Sequence, residues 1–133
     1  MEDILFLATF FQINSIMNIL YGVNATGNGH ISRSRITISE LKNRGHNVTV
    51  LFSGRNAEDF FDLDEFKPFI IKKGFTFRFK NGKLNVIKTL LNIDLIQFIR
   101  DVFKIKKDYD VIITDFEPIS AYAARIRGIH CIG

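Results

Sequence analysis

The chain has 133 residues, of which 47% are apolar and 24% are charged. This composition excludes an intrinsically disordered protein and is sufficient for one domain with its own hydrophobic core. The formal net charge is +4, and many of the basic residues gather in two stretches, 72–88 and 104–107. A solvated face explains both stretches. Contact with an anionic membrane surface or an acidic substrate is the alternative, and no motif indicates nucleic acid.

The cysteine content and the amino-terminal segment bear on location. A single cysteine, Cys131, excludes an internal disulfide and fits a reducing compartment, so we expect a cytoplasmic protein, either free or peripheral at the inner face of the membrane.

Residues 1–16 are apolar but begin with Glu2 and Asp3, whereas a secretory signal begins with positive charge. Because Met17 opens a better strand, we expect residues 1–16 to be an extension upstream of the natural start. A short membrane-surface anchor is the alternative.

The first half of the chain predicts a βαβ unit. Residues 18–23 and 48–52 are short apolar runs, as in buried parallel strands. Residues 24–29 are rich in turn formers, and Gly45 supplies a helix stop. Between these points, residues that recur every three or four positions predict a helix, namely Ile31, Ser34, Ile38 and Leu41.

The middle of the chain carries weaker signals. Residues 57–61 favour a short helix, and residues 69–71 favour a short strand. Residues 74–80 alternate phenylalanine with polar residues, which predicts a strand with one solvated face. Asn81-Gly82 then predicts a turn.

The last part of the chain returns to clear periodicity. Residues 84–106 predict a helix broken near Asn92, and residues 110–114 predict a buried strand. Pro118 to Gly128 predicts a second helix, and residues 129–132 begin a further strand. Strands that alternate with helices predict an α/β fold, a Rossmann-like parallel sheet flanked by helices.

The most informative motif is YGVNATGNGHISRSR, residues 21–35, which joins a strand to a helix. Gly27 and Gly29 are expected to adopt positive φ and to let the backbone approach a ligand. The free N–H groups at the start of the helix favour an anion or a polar oxygen there. His30 lies at the mouth of this site, where a histidine can take a proton from a hydroxyl. A histidine that only caps the helix or bonds the backbone is the alternative.

Two other loop motifs fit less well. A P-loop requires Lys and then Ser or Thr after its last glycine, but His30 and Ile31 follow Gly29. A dinucleotide fingerprint requires a third glycine where Ser32 stands. It also requires an acidic residue at the end of the second strand, where Arg55 is found instead. Since Arg55 could meet a phosphate, NADP binding stays open as an alternative.

A carboxylate marks the end of a second strand. Asp115 follows residues 110–114, so it is expected at the carboxyl edge of the same sheet, with Glu117 two residues further on. There, Asp115 could hold the His30 ring and stabilise the imidazolium that forms during proton transfer. The alternative is an N-cap for the helix that begins at Pro118, and the two roles can coexist.

Three stretches carry a family resemblance: NILYGVNATGNGHISRSR, ELKNRGHNVTVLFSGR and YDVIITDFEPISAYAARIRGI. They resemble the N-terminal domain of a UDP-glucuronosyltransferase-like family of GT-B glycosyltransferases, with MurG-type N-acetylglucosaminyltransferases as more distant relatives. The resemblance covers residues 17–133, and its most specific part is the GTGNGH-type loop, which residues 25–30 fill.

The resemblance implies roles for individual residues. His30 corresponds to the general base of related inverting sugar transferases, and Asp115 corresponds to its acidic partner in plant-type members. The residues expected near the acceptor and the diphosphate are Gly27, Asn28, Gly29, Ser32 and Glu117. The resemblance implies no metal ion or other cofactor, because helix dipoles and basic side chains neutralise the diphosphate.

The function implied by the resemblance is hexosyl transfer from a nucleotide-sugar, a UDP-sugar, to a hydroxyl of a lipid-linked acceptor or a glycan. Residues 17–133 are then the acceptor-side domain of a truncated GT-B fold. We expect the donor-binding C-terminal domain beyond Gly133 or on a separate chain, and no activity from this chain alone. A non-catalytic nucleotide- or sugar-binding module, or an NADP-binding one, is the alternative.

Overall fold

The computed structural model describes residues 15–74, 79–87 and 94–133. The strands are β1 (Asn18–Asn24), β2 (Asn47–Ser53), β3 (Phe69–Lys72), β4 (Phe79–Lys80), β5 (Lys83–Leu84), β6 (Val111–Asp115) and β7 (His130–Ile132). The helices are α1 (Asn28–Asn43), α2 (Leu95–Lys104) and α3 (Pro118–Arg127), and short 3₁₀ turns occupy Ala57–Asp59 and Asp64–Phe66.

A five-stranded parallel sheet organises the chain. Its strand order is β3-β2-β1-β6-β7, and every neighbouring pair in it is parallel. The chain moves outward from β1 to β3 in one direction and then returns to place β6 on the other side of β1. This is a Rossmann-like α/β arrangement, so the predicted fold class is confirmed, and it is the fold expected of half of a GT-B enzyme.

Alternation along β1 explains why helices cover both faces of the sheet. Ile19, Tyr21 and Val23 point to one face, where they pack against the buried side of α1. That side of α1 consists of the four residues predicted from helical spacing, Ile31, Ser34, Ile38 and Leu41. Leu20 points to the opposite face and packs against residues of α2 and α3, namely Phe98, Val102, Ile119, Ala123 and Ala124.

Two of the predicted middle elements differ from the structure. The helix predicted over residues 84–106 is confirmed for Leu95–Lys104, whereas Leu84 belongs to a strand and residues 88–93 lie outside the described residues. The strand predicted over 74–80 is described only at its ends, where Phe79–Lys80 pairs with β5 in an antiparallel hairpin. Asn81 and Gly82 form its turn with φ of 52° and 73°. Both residues tolerate the left-handed region, which explains why the hairpin forms there.

Most of the predicted amino-terminal extension, residues 1–14, lies outside the described residues. In the rest of the chain, as far as it is described, no helix has both the length and the apolar character that crossing a membrane requires.

Close packing of α3 on β1 predicts a large effect of a one-carbon change at Gly22. A Cβ at this position would lie 2.0 Å from the Ser120 Oγ and 3.1 Å from the Glu117 Cβ. We expect Gly22→Ala to lower the free energy of unfolding by roughly 1–3 kcal/mol, because the buried helix must shift away from the strand. Urea unfolding followed by circular dichroism measures this loss.

Gly29→Ala is the matched control for Gly22→Ala. A Cβ at Gly29 would meet no atom within 4 Å, and the position lies in α1. Since alanine is the better helix former, we expect the free energy of unfolding to stay unchanged or to rise by up to about 1 kcal/mol. Equal losses in the two variants would contradict the close packing of α3 on β1.

Candidate active site

The candidate site lies where the strand order reverses, at the carboxyl edge of β1 and β6. These strands are adjacent, and Val23 of β1 pairs with Asp115 of β6. After Asn24 the chain turns through residues 25–27 into α1, whose first turn carries His30. In open α/β sheets, ligands bind in the crevice outside such a switch point. The topology thus places the glycine-rich turn and the end of β6 at one edge.

His30 and Asp115 are in contact. The Nδ1 of His30 lies 2.9 Å from Oδ1 of Asp115, and the two side chains are 31% and 12% exposed. The structure therefore brings together the two residues that the sequence placed at the same edge of the sheet. Because Nδ1 faces the carboxylate, the other ring nitrogen, Nε2, is on the far side of the ring and can meet a ligand.

The glycines of the motif act differently from the prediction. The expectation that Gly27 and Gly29 adopt positive φ is wrong. Gly27 is the extended N-cap of α1 with φ −131°, and Gly29 already belongs to the helix, which begins at Asn28. A Cβ on either glycine would meet no atom within 4 Å. What these glycines provide is open space beside the backbone.

Arg33 and Ser34 complete the site, although neither is among the site residues that the sequence predicts. The Nε of Arg33 donates to Oδ2 of Asp115 over 2.9 Å, and its Nη2 donates to Oδ1 in the second half of a bidentate ion pair. The Ser34 Oγ donates to Oδ2 over 3.0 Å. His30, Arg33 and Ser34 stand three and four residues apart on α1, so they share one helix face. That spacing is the signal that could have found them.

These contacts keep Asp115 ionised. Burial alone would raise the pKa of its carboxyl group, but hydrogen bonds from Arg33, His30 and Ser34 outweigh burial and lower the pKa from 3.8 to about 2. The hydrogen bond to Asp115 also raises the pKa of the Arg33 guanidinium, which therefore stays a cation. At neutral pH the site holds a fixed carboxylate beside the imidazole.

One ring nitrogen of His30 faces two competing partners. Nδ1 lies 2.9 Å from the Asp115 carboxylate and 2.7 Å from Nη2 of Arg33. The carboxylate only accepts hydrogen bonds and the guanidinium only donates them, so Nδ1 can satisfy one partner at a time. A proton on Nδ1 favours Asp115 and leaves a lone pair on Nε2. The opposite tautomer favours Arg33 and places the proton on Nε2.

Asn28 and Ser32 lie one turn apart at the start of α1, and the side chain of each forms a hydrogen bond there. The Asn28 side-chain oxygen accepts from Nη2 of Arg55 over 2.8 Å, and the Ser32 Oγ donates to the backbone oxygen of Asn28 over 3.0 Å. No acidic residue lies in this first turn. The helix start therefore presents backbone N–H groups beside a cationic side chain, a setting that favours an anion.

Glu117 is not at this surface. It is 0% exposed, and its carboxylate accepts from Ser53 Oγ, from Ile119 N and from Ser120 N. Burial raises the pKa of this group, while the same hydrogen bonds oppose the rise. Glu117, and not Asp115, is the N-cap of α3. Glu117 therefore lies in the interior and caps a helix, away from the substrate surface where the sequence predicts it.

The buried position of Glu117 predicts a stability loss for Glu117→Gln. The amide replaces one of the two acceptor oxygens with an NH₂ group, which is a donor. The N–H or O–H group that donates to that oxygen in the wild type then has no acceptor. We expect the free energy of unfolding to fall by roughly 1–3 kcal/mol. Thermal unfolding measures this against Glu58→Gln, an exposed substitution with the same chemistry that should leave stability unchanged. Equal stability of the two variants would contradict the capping role.

Within the described residues, His, Cys, Asp and Glu form no group of three that could hold a metal ion.

A known protein family matches most of the chain. No curated protein and no solved structure matches the chain. Residues 17–133 match the family described as glycosyl transferase family 1. This match spans the whole five-stranded sheet and the site at its carboxyl edge, so the chain belongs to glycosyltransferase family 1.

Proposed function

We propose that this chain is the acceptor-binding half of an enzyme that transfers a sugar from a UDP-sugar to a hydroxyl group. The observation that carries the proposal is the contact between His30 and Asp115 at the carboxyl edge of the sheet. A histidine held by an ionised carboxylate is the usual arrangement of a general base, because the carboxylate orients the ring and stabilises the imidazolium.

The proposed reaction is a direct displacement at the anomeric carbon. Nε2 of His30 takes the proton of the acceptor hydroxyl while the hydroxyl oxygen forms a bond to the anomeric carbon. The bond between that carbon and the diphosphate oxygen breaks, and UDP leaves with the electron pair. Asp115 accepts the Nδ1 proton in a hydrogen bond throughout and balances the positive charge on the ring.

The first turn of α1 has the features of a binding position for the leaving diphosphate. Gly27 and Gly29 leave space beside the backbone, and the helix start combines free N–H groups with Arg55, which is bonded to Asn28. We propose that this turn, with Asn28 and Ser32, lies between the acceptor and the diphosphate. The rest of the donor would be held by a second Rossmann-like domain, as in the enzymes that the sequence resembles.

A ligand titration separates this function from a binding module. We expect the 133-residue chain to bind UDP weakly by calorimetry, because most donor contacts belong to the second domain, and to bind NADPH no better. Supplied with a donor-binding domain, the same chain should support transfer of radiolabelled sugar to a hydroxyl acceptor. Tight UDP or NADPH binding by the chain alone would favour the binding module and contradict the acceptor-side function.

A further inference from the structure

Phe116 has a backbone conformation and an exposure that its residue type does not explain. It stands directly after Asp115 with φ 54°, in the left-handed region that bulky residues rarely adopt. Its side chain is 73% exposed, so burial does not offset the strain. Glycine or asparagine would fit the same backbone at lower cost. A strained and exposed aromatic residue beside a site is a reason to look for a ligand.

Buried contacts fix this conformation. The side-chain nitrogen of Asn24 donates to the backbone oxygen of Phe116 over 3.1 Å, and Asn24 is almost completely buried. The Asn24 side-chain oxygen accepts from the backbone N–H of Thr26 over 2.9 Å. One buried amide thus links the turn after β1 to the turn after β6. It holds Phe116 in place relative to the glycine-rich motif.

The ring of Phe116 stands against the proposed base. The ring centroids of Phe116 and His30 lie 5.5 Å apart with a tilt of 59°. Polar and charged groups stand beside this ring, since Asp115 precedes Phe116, Arg33 bonds to Asp115 and Asn24 bonds to the Phe116 backbone. The exposed ring thus adds an apolar surface to these polar groups, next to the group that would take the proton.

We propose that Phe116 is the acceptor-binding platform and that the acceptor is a pyranose ring. This inference rests on the proposed function and names the substrate class of the same site. A pyranose has a face of C–H groups, which stacks on an aromatic ring, and hydroxyls around its rim, which hydrogen-bond to polar neighbours. An acceptor that is apolar all round would exclude water from the exposed guanidinium of Arg33 without offering it a hydrogen bond in return. A sugar stacked on Phe116 places a rim hydroxyl towards His30.

Saturation-transfer difference NMR on the 133-residue chain tests the platform. The probes are methyl glycosides of glucose, galactose and mannose, with the open-chain alditols and phenol as comparison ligands. We expect at least one methyl glycoside to bind through its C–H face, and its alditol and phenol to bind less well. Phe116→Ala should weaken that binding roughly tenfold, about 1.4 kcal/mol, the order of one aromatic contact.

Two control variants keep the result interpretable. Phe116→Tyr keeps a ring and should retain the binding. Phe116→Gly removes the ring and relieves the backbone strain, so it should lose the binding without a lower melting temperature. Tyr122→Ala removes an exposed aromatic ring of α3 that packs on Phe98 of α2, outside the site, and should still bind the methyl glycoside. A failure of the platform appears in this binding assay, whereas a failure of the base hypothesis appears in transfer assays. Absence of glycoside binding to the wild-type chain, preference for phenol, or unchanged binding in Phe116→Ala would overturn the inference.

Discussion

His30→Ala is expected to lower kcat of the assembled enzyme by roughly 10²–10⁴-fold, the contribution of a positioned general base. The reason is geometric. Nδ1 of His30 is occupied by the Asp115 carboxylate, so Nε2 is the nitrogen that can reach an acceptor hydroxyl. Removing the ring leaves that proton without an acceptor, while the helix start and Phe116 remain. We therefore expect KM for the acceptor to change far less than kcat.

The measurement is steady-state transfer of radiolabelled sugar by the chain supplied with the donor-binding domain of the proposed enzyme. His46→Ala is the matched control. His46 precedes β2 at the amino edge of the sheet, where its Nδ1 accepts from the backbone N–H of Met17 over 3.3 Å. We expect this variant to keep kcat. An unchanged kcat in His30→Ala, with intact folding by circular dichroism, would remove His30 from the role of base.

The sequence predicts the centre of this site better than its surroundings. The apolar runs at β1 and β6 are strong signals for buried parallel strands. Parallel strands in one sheet share a carboxyl edge, so residues that follow these two strands meet there. The topology alone therefore places His30 and Asp115 at one edge, without any knowledge of side-chain contacts.

The hydrogen-bond partners of Asp115 depend on where α1 begins, and sequence patterns predict helix ends poorly. The glycine-rich turn reads as a loop up to Gly29, but α1 begins at Asn28. Because α1 begins at Asn28, His30 stands inside its first turn and shares a face with Arg33 and Ser34. Helix ends depend on competition between local turns and hydrogen bonds, so their positions are the least certain part of a sequence reading.

Glu117 illustrates a second limit of sequence reading. Asp115 and Glu117 both follow the apolar run of β6, so the sequence predicts both carboxylates at the site. The left-handed turn at Phe116 separates them, sending Asp115 to the edge of the sheet and Glu117 into the interior as the cap of α3. A residue of this size rarely adopts that conformation, so nothing in the sequence indicated the turn.

Asp115→Asn is the second large effect that we expect, up to roughly 10⁴-fold in kcat, through the tautomer of His30. The amide has no charge to hold a proton on Nδ1. Nη2 of Arg33 already lies 2.7 Å from Nδ1 and can donate to it once the carboxylate is gone. The ring proton then moves to Nε2, where it blocks the nitrogen that must accept the hydroxyl proton. Nitrogen-15 NMR of His30 would show the change of tautomer directly, and kcat measures its consequence.

Two further measurements separate this explanation from a loss of folding. Ser34→Ala removes one hydrogen bond to Asp115 but keeps its charge, so kcat should fall much less. The pKa of Asp115 is about 2 in the folded protein against 3.8 as its ordinary value. Its ionisation therefore stabilises the fold above about pH 4, and this contribution disappears as the pH falls towards 2. The stability difference between wild type and Asp115→Asn should shrink over that range.

The double variant provides the strictest test of the pair. If Asp115 acts through His30, the His30→Ala/Asp115→Asn double variant should be no slower than His30→Ala, because an absent ring has no tautomer to set. Independent roles would instead multiply the two losses. A double variant that is slower than His30→Ala by the full Asp115→Asn factor would mean that the carboxylate contributes to transfer by another route, such as direct contact with the acceptor.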